Sequence, residues 1–267
     1  MDILSFFGYP SFSGVGIAVA FGLIWLAALG AWQWRGKWLW LSLAGVVIFP
    51  ISIAWIQVPL QNLVNNRLVD SYGLLTYQNR ILWMGIPYVL ISGLVQEGAK
   101  LFPVSIYWWG QNRELSPKTG LAIGTMVGAG FGVCEAQWLL NSVFASGFTW
   151  SLVPQYGFLA LLPFWERFFT VSFHIATGAL SGYGLAKGKG WQFYSLASFL
   201  HFLANYSTFF YYKEMVTAVQ IEIIIAVFSV IIYGVVLWLK WRHAEEIKQD
   251  NGHNNEPMLP SDQNQLP

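Results

Sequence analysis

Seven apolar runs follow one another along the chain, each near or above the ~20 residues that a helix needs to cross a bilayer. They cover roughly 13–32, 38–60, 81–108, 119–147, 158–186, 191–211 and 215–239. The pattern predicts an all-α, polytopic membrane bundle of about seven transmembrane helices over residues 1–243. The third to fifth runs are long, which predicts tilt, a break or an interfacial stretch. Pro103 predicts a kink or an end in the third. Ser151 to Pro163 carries Pro154 and Pro163 and reads as a loop or a partial insertion. From Ala244 to Pro267 the chain turns to Asn, Gln, Asp, Glu and Pro, which predicts a disordered cytoplasmic tail without chemistry of its own.

Composition narrows the class. Apolar residues make up 55% of the 267 and charged ones 10%, against roughly 25% charged in a soluble domain. A soluble enzyme, a disordered chain and a nucleic-acid binder are all excluded. A net charge of +1 implies no polyanionic partner. The single cysteine, Cys134, excludes an intrachain disulfide and a Cys-based zinc site, and reads as a small packing residue. Met1-Asp2-Ile3 lacks the basic start of a signal peptide, so the first run is expected to stay in the mature chain.

Basic residues orient the bundle. Arg35, Lys37, Arg113, Lys118, Lys187, Lys189, Lys240, Arg242 and Lys248 fall in one set of breaks, and Arg67, Arg80, Arg167 and Lys213 in the other. The richer set is expected in the cytoplasm, giving an outside N-terminus and an inside C-terminus in a plasma membrane. Trp32, Trp34, Trp38, Trp40, Trp108, Trp109, Trp191, Trp238 and Trp241 cluster at the same ends, where an indole belt belongs.

Against this background the polar residues inside the runs stand out. A charge at the membrane centre costs roughly 2.5–3.5 kcal/mol on insertion scales, so it needs a partner or a watery cavity. Gln96, Glu97 and Lys100 lie in the third run, Glu135 in the fourth, His174 in the fifth, and His201 and Asn205 in the sixth. Glu97 and Lys100 stand at i and i+3 and can pair; Gln96 and Lys100, like His201 and Asn205, stand at i and i+4 and share a face. Four runs thus bring carboxylates, imidazoles and amides to similar depth, which predicts one polar cavity. Glu222 and the Glu166–Arg167 pair read instead as edge residues. Gly120, Gly124, Gly128 and Gly132 form a small-residue stripe suited to close helix packing.

No P-loop, GxGxxG or HExxH is present, and no Ser-His-Asp arrangement falls inside the membrane. Two His with Glu135 could hold zinc, since imidazole and carboxylate are accepted ligands, although no close-spaced ligand pair points to it. A buried carboxylate can serve as a base, and His or Asn can donate to a developing oxyanion. Together they suit attack of water on an amide with no cofactor.

The same residues resemble a known family. Gln96-Glu97-Gly98-Ala99-Lys100 is similar to the EExxK element of PrsW-type intramembrane proteases, and Phe131 to Glu135 to their FxxxE element. His174 to Thr177, followed by Gly182-Tyr183-Gly184, resembles their HxxxT…GYG helix, and His201 to Asn205 their final HxxxN or HxxxD element. Order and spacing agree from about residue 90 to 207, within a protease-like core of about 80–211. The wider clan takes in prenyl-protein (CAAX) endopeptidases, bacterial CPBP proteins, YhfC-like proteins and, more distantly, the gamma-secretase scaffold subunit. The resemblance implies a glutamate-activated water, a site lined by Glu97, Glu135, His174, His201 and Asn205 with Gln96 and Lys100 in support, and a membrane-anchored protein substrate.

One departure bears on activity. The first Glu of EExxK is the expected base, and Gln96 stands there. A neutral amide cannot take a proton. Either Glu97 or Glu135 serves instead, or the chain is a non-catalytic relative like the scaffold subunit, which also carries Gln-Glu at this element. A proton-coupled transporter remains as a third reading, because intramembrane Glu, Lys and His also mark ion pathways.

Overall fold

The computed structural model describes residues 11–31 and 39–253, with side chains up to Arg242. Arg35, Lys37, Trp32, Trp34 and Trp38, the Lys248 side chain and residues 254–267 therefore lie outside the described residues. Among the described residues there is helix and no strand. Seven long helices carry the fold: α1 (Phe12–Ala28), α2 (Leu39–Tyr72), α3 (Ile81–Gly110), α4 (Pro117–Ala145), α5 (Leu162–Ala186), α6 (Gly190–Tyr212) and α7 (Ala218–His253). Four of them, α2, α3, α4 and α7 as far as Arg242, are long and apolar enough to cross a membrane by length and composition.

The helix ends differ from the apolar runs where polarity and helicity part company. α2 runs to Tyr72, twelve residues past the end of its apolar run, because Gln57 and Gln61 are buried inside the bundle. It passes Pro50 and then widens into a π-turn at Ile53–Gln57. α3 continues through Pro103, which is buried, to Gly110. The stretch from Ser151 forms a short helix, Leu152–Tyr156, and a 3-10 turn, Gly157–Leu161, before α5 begins. α7 extends as helix to His253, into the stretch that composition assigns to the tail.

α4 is the centre of the bundle. In its most apolar window 83% of the residues are buried, against 39% in α2 and in α7. Ser116 caps its start, accepting from the Thr119 N–H at 3.1 Å, and Pro117 opens the first turn. The glycine stripe lies against α5. A Cβ at Gly120 would meet the Gly182 carbonyl, one at Gly124 the Gly178 carbonyl, and one at Gly128 the His174 carbonyl. The partners advance four residues along α4 and retreat four along α5, so the two helices are antiparallel with backbones in contact. α2 lies on another face of α4, where a Cβ at Gly45 would meet the Val127 carbonyl and one at Gly130 the Ser42 carbonyl. α3 touches α6 in the same way at Gly93 and Ser198. Gly188, at a φ of +70°, turns α5 into α6 within three residues and sets those two side by side.

Outward faces are apolar and aromatic. Trp40, Trp109, Trp191, Trp238 and Trp241 are exposed, and Trp40 stacks near Tyr107 at 6.1 Å, which places the start of α2 beside the end of α3. Cys134 is free and buried next to Phe49 and Phe131, a packing residue as its chemistry suggests.

Gly124→Val and Gly178→Val should each destabilise by about 1–3 kcal/mol through forced separation of α4 and α5. Gly16→Ala, where the new methyl meets nothing within 4 Å, should be neutral or slightly stabilising. Unfolding midpoints in detergent for the three variants check this.

Candidate functional site

Three side chains of one α3 turn begin the site. Gln96, Glu97 and Lys100 are all buried, Glu97 and Lys100 with no exposed side-chain surface. Lys100 has three ammonium hydrogens and three acceptors. Nζ lies 2.7 Å from Glu97 Oε1, 3.1 Å from His174 Nδ1 and 2.6 Å from Thr177 Oγ1. The Phe131 ring closes the remaining side at 5.6 Å from the charge. A buried ammonium is tolerable only when every donor is met, and α5 supplies two of the three acceptors, one helical turn apart.

This arrangement sets the protonation of His174. Because the ammonium donates to Nδ1, that nitrogen is the acceptor and Nε2 carries the hydrogen. Nε2 then donates to Glu135 Oε2 at 2.5 Å. Glu135 keeps 17% of its side chain exposed, in contrast to Glu97. On the far side of Lys100, Glu97 Oε1 also pairs with His201 Nδ1 at 2.7 Å, while Glu97 Oε2 is buried without a partner. The rings of His174 and His201 lie 5.4 Å apart at 64°. Glu97, Lys100, Glu135, His174 and His201 thus form one connected cluster from four helices, as the depth argument anticipates.

Two expected residues sit beside it. The Asn205 amide donates to Ser92 Oγ at 2.6 Å, one turn from His201. Gln96 donates to Gln57 Oε1 at 3.0 Å, across to the π-turn of α2, and leaves its own Oε1 buried and unpartnered. Three residues were not singled out as part of the site. Thr177 holds the lysine. Arg167, read as an edge residue, is 7% exposed, pairs with Glu166 and lies 4.0 Å from Glu135 Oε2. Gln57 joins the site through Gln96; its signal was the polar series Gln57, Gln61 and Asn65 at four-residue spacing at the end of an apolar run.

Residues 37–236, about three quarters of the chain, match the family model described as PrsW family intramembrane metalloprotease. The chain belongs to the PrsW family. The match takes in all four elements that build the cluster and every long helix except α1 and the end of α7. No curated protein and no solved structure matches the chain.

The family description names a metal, and the PrsW-family cluster can be tested against one. Among the described residues Glu97, His174 and His201 bring ligand atoms within 4.8 Å of one another. Glu135, the carboxylate that the sequence groups with the two histidines, is not in that set. Two imidazoles and a carboxylate are zinc donors, so the donor types suit. Glu97 Oε2 has no partner, whereas Glu97 Oε1 and both nitrogens of His174 are engaged. Lys100 takes Glu97 Oε1 and His174 Nδ1, Glu135 takes His174 Nε2, and Glu97 takes His201 Nδ1. His174 could ligate an ion only by giving up Lys100 or Glu135, so the three residues as they stand do not fit a metal together.

Lys100→Met should leave Glu97 as an uncompensated buried charge and cost about 3–5 kcal/mol. Adding Glu97→Gln to it should restore most of that loss. Equilibrium unfolding of both single variants and the double variant measures the coupling.

Proposed function

We propose that this PrsW-family chain is an intramembrane endopeptidase that hydrolyses peptide bonds of membrane-anchored proteins, without a metal. The observation that carries the reading is the Glu135–His174 pair, backed by Lys100 and retaining the accessible carboxylate of the cluster. A base must reach its water, and Glu97, with no exposed surface, is poorly placed to do so. Glu135 takes a proton from water as the oxygen attacks the scissile carbonyl. The C–N bond then breaks, and the proton passes from Glu135 to the departing amine. His174, held in one tautomer by Lys100, orients the carboxylate. The developing oxyanion falls to the second amide hydrogen of Asn205, whose first is on Ser92, and to the Nε2 hydrogen of a doubly protonated His201, whose Nδ1 hydrogen is on Glu97. Glu97 positions Lys100 and His201. All seven long helices would cross a plasma membrane, with the N-terminus outside and the C-terminus in the cytoplasm, consistent with the exposed Trp40, Trp109, Trp191, Trp238 and Trp241 at one end.

A second reading rests on Gln96. It stands where the family element has its first Glu, and its amide is committed to Gln57 rather than to the cluster. On that reading the bundle is an inactive scaffold that holds a partner protein.

Cleavage of membrane-anchored peptides in liposomes, read by mass spectrometry, separates the two. Glu135→Gln should lower turnover by about 10²–10⁴, the usual worth of a general base, and a chelator should leave the wild type unchanged. Full activity in Glu135→Gln would overturn the assignment of the base. Activity appearing only in Gln96→Glu would establish the scaffold reading.

A further inference from the structure

A cavity of about 500 Å³ opens at the end of the bundle where α2 and α6 finish and α3 begins. Its volume is ordinary for a ligand site. Tyr77, Tyr88, Tyr211 and Tyr212, with Asn65, Gln78 and Thr208, supply its polar groups, and no residue lining it carries a charge. Four phenols and two carboxamides offer hydrogen bonds and flat apolar faces together. That set suits an uncharged polypeptide segment, whose backbone has both donors and acceptors. It offers no cation for a phosphate or a carboxylate.

A polar track leads inward from this cavity. Tyr88, Ser92, Gln96 and Lys100 recur every four residues on α3, so they share one face. Asn65, Gln61 and Gln57 do the same on α2. The two stripes meet: Gln61 donates to the Tyr88 carbonyl at 2.9 Å, Gln57 to Gln61 Oε1 at 3.4 Å, and Gln96 to Gln57 Oε1 at 3.0 Å. Each amide points its N–H toward the cavity. The series therefore ends inside on an acceptor, Gln96 Oε1, which is buried and has no partner. Ser92, on the same α3 face, accepts from Asn205 of α6 at 2.6 Å. From Tyr88 to Gln96 the path is about 12 Å at ~1.5 Å per residue. A buried amide acceptor without a donor is costly, and a peptide N–H or a water would satisfy it.

We infer that this cavity is the substrate mouth: an uncharged polypeptide segment beside a substrate's membrane span seats among the tyrosines and extends along the Gln61–Gln57–Gln96 amides toward Glu135. The inference rests on the peptidase reading for its direction but concerns binding, which can be measured separately. Gln96 and Gln57 become positioning residues, and the tyrosines set which segment is accepted.

The experiment uses full-length protein in liposomes with a single-span peptide whose flanking segment is uncharged. A photoreactive phenylalanine replaces Gln78 at the rim in a Glu135→Gln background, and a second protein carries it at Trp191, exposed at the other end. Capture of the peptide from position 78 and not from 191 is expected. Capture of lipid alone, or equal capture from both positions, would overturn the inference. In parallel, Gln78→Trp and Thr208→Trp, at exposed rim positions, narrow the mouth with little burden on the fold. Each should raise KM about tenfold with kcat unchanged, the pattern of lost uniform binding. An unchanged KM in both, with unfolding midpoints intact, would also overturn it. Capture without cleavage by the wild type would retain the mouth and remove the peptidase reading; cleavage without capture would do the reverse.

Discussion

A lysine ammonium with no exposed surface has to find three acceptors inside an apolar bundle, and the rest of the site follows from how Lys100 finds them. One acceptor lies on its own helix, a turn back at Glu97. The other two, His174 and Thr177, come from α5. That demand ties α3 to α5 at one depth. It also decides the state of every neighbour: His174 must present a lone pair inward, so its hydrogen points outward to Glu135, and Glu97 must stay ionised to balance the charge. A single cation thereby sets two carboxylates in different surroundings, Glu97 sealed and Glu135 partly exposed.

The glycine contacts make this geometry repeatable. Because Gly128 brings α4 against the backbone at His174 itself, the imidazole emerges where the two backbones are in contact. Glu135, two turns further along α4, then falls within reach of Nε2. The helices are in backbone contact beside the polar cluster, while Trp and Leu side chains project from the outward faces.

Much of this was legible in the sequence. Helix type and order follow from the apolar runs, and the cluster follows from the cost of placing Glu97, Lys100, Glu135 and His174 in such runs. What escaped did so for physical reasons. α2 outlasts its apolar run because Gln57 and Gln61 are satisfied by each other and by Tyr88, a pairing that hydropathy cannot register. Arg167 looks like an edge residue by position, yet its neighbour Glu166 and the carboxylate of Glu135 draw it inward. Asn205 and His201 share a face, but Ser92 on α3 intercepts the amide, and no spacing rule on α6 alone contains that information. The lone pairs that a metal would use look free in the sequence; only the folded positions of Lys100 and Glu135 show those of His174 taken.

The π-turn at Ile53–Gln57 has a consequence for how this chain tolerates change. Such a turn amounts to one extra residue in an otherwise α-helical ladder. Everything after it is rotated by about 100° relative to a regular helix, the angle of a single residue. Up to the start of the turn, the bundle face of α2 is Phe49 and Ile53; from its end onward it is Gln57 and Gln61. Deleting one residue within the turn would repair the ladder and leave hydrophobicity nearly unchanged, yet swing Gln61 and Asn65 off the α3 face toward lipid. The wide turn is therefore a phase-setter: it lets one helix greet the core with apolar side chains in one half and with amides in the other.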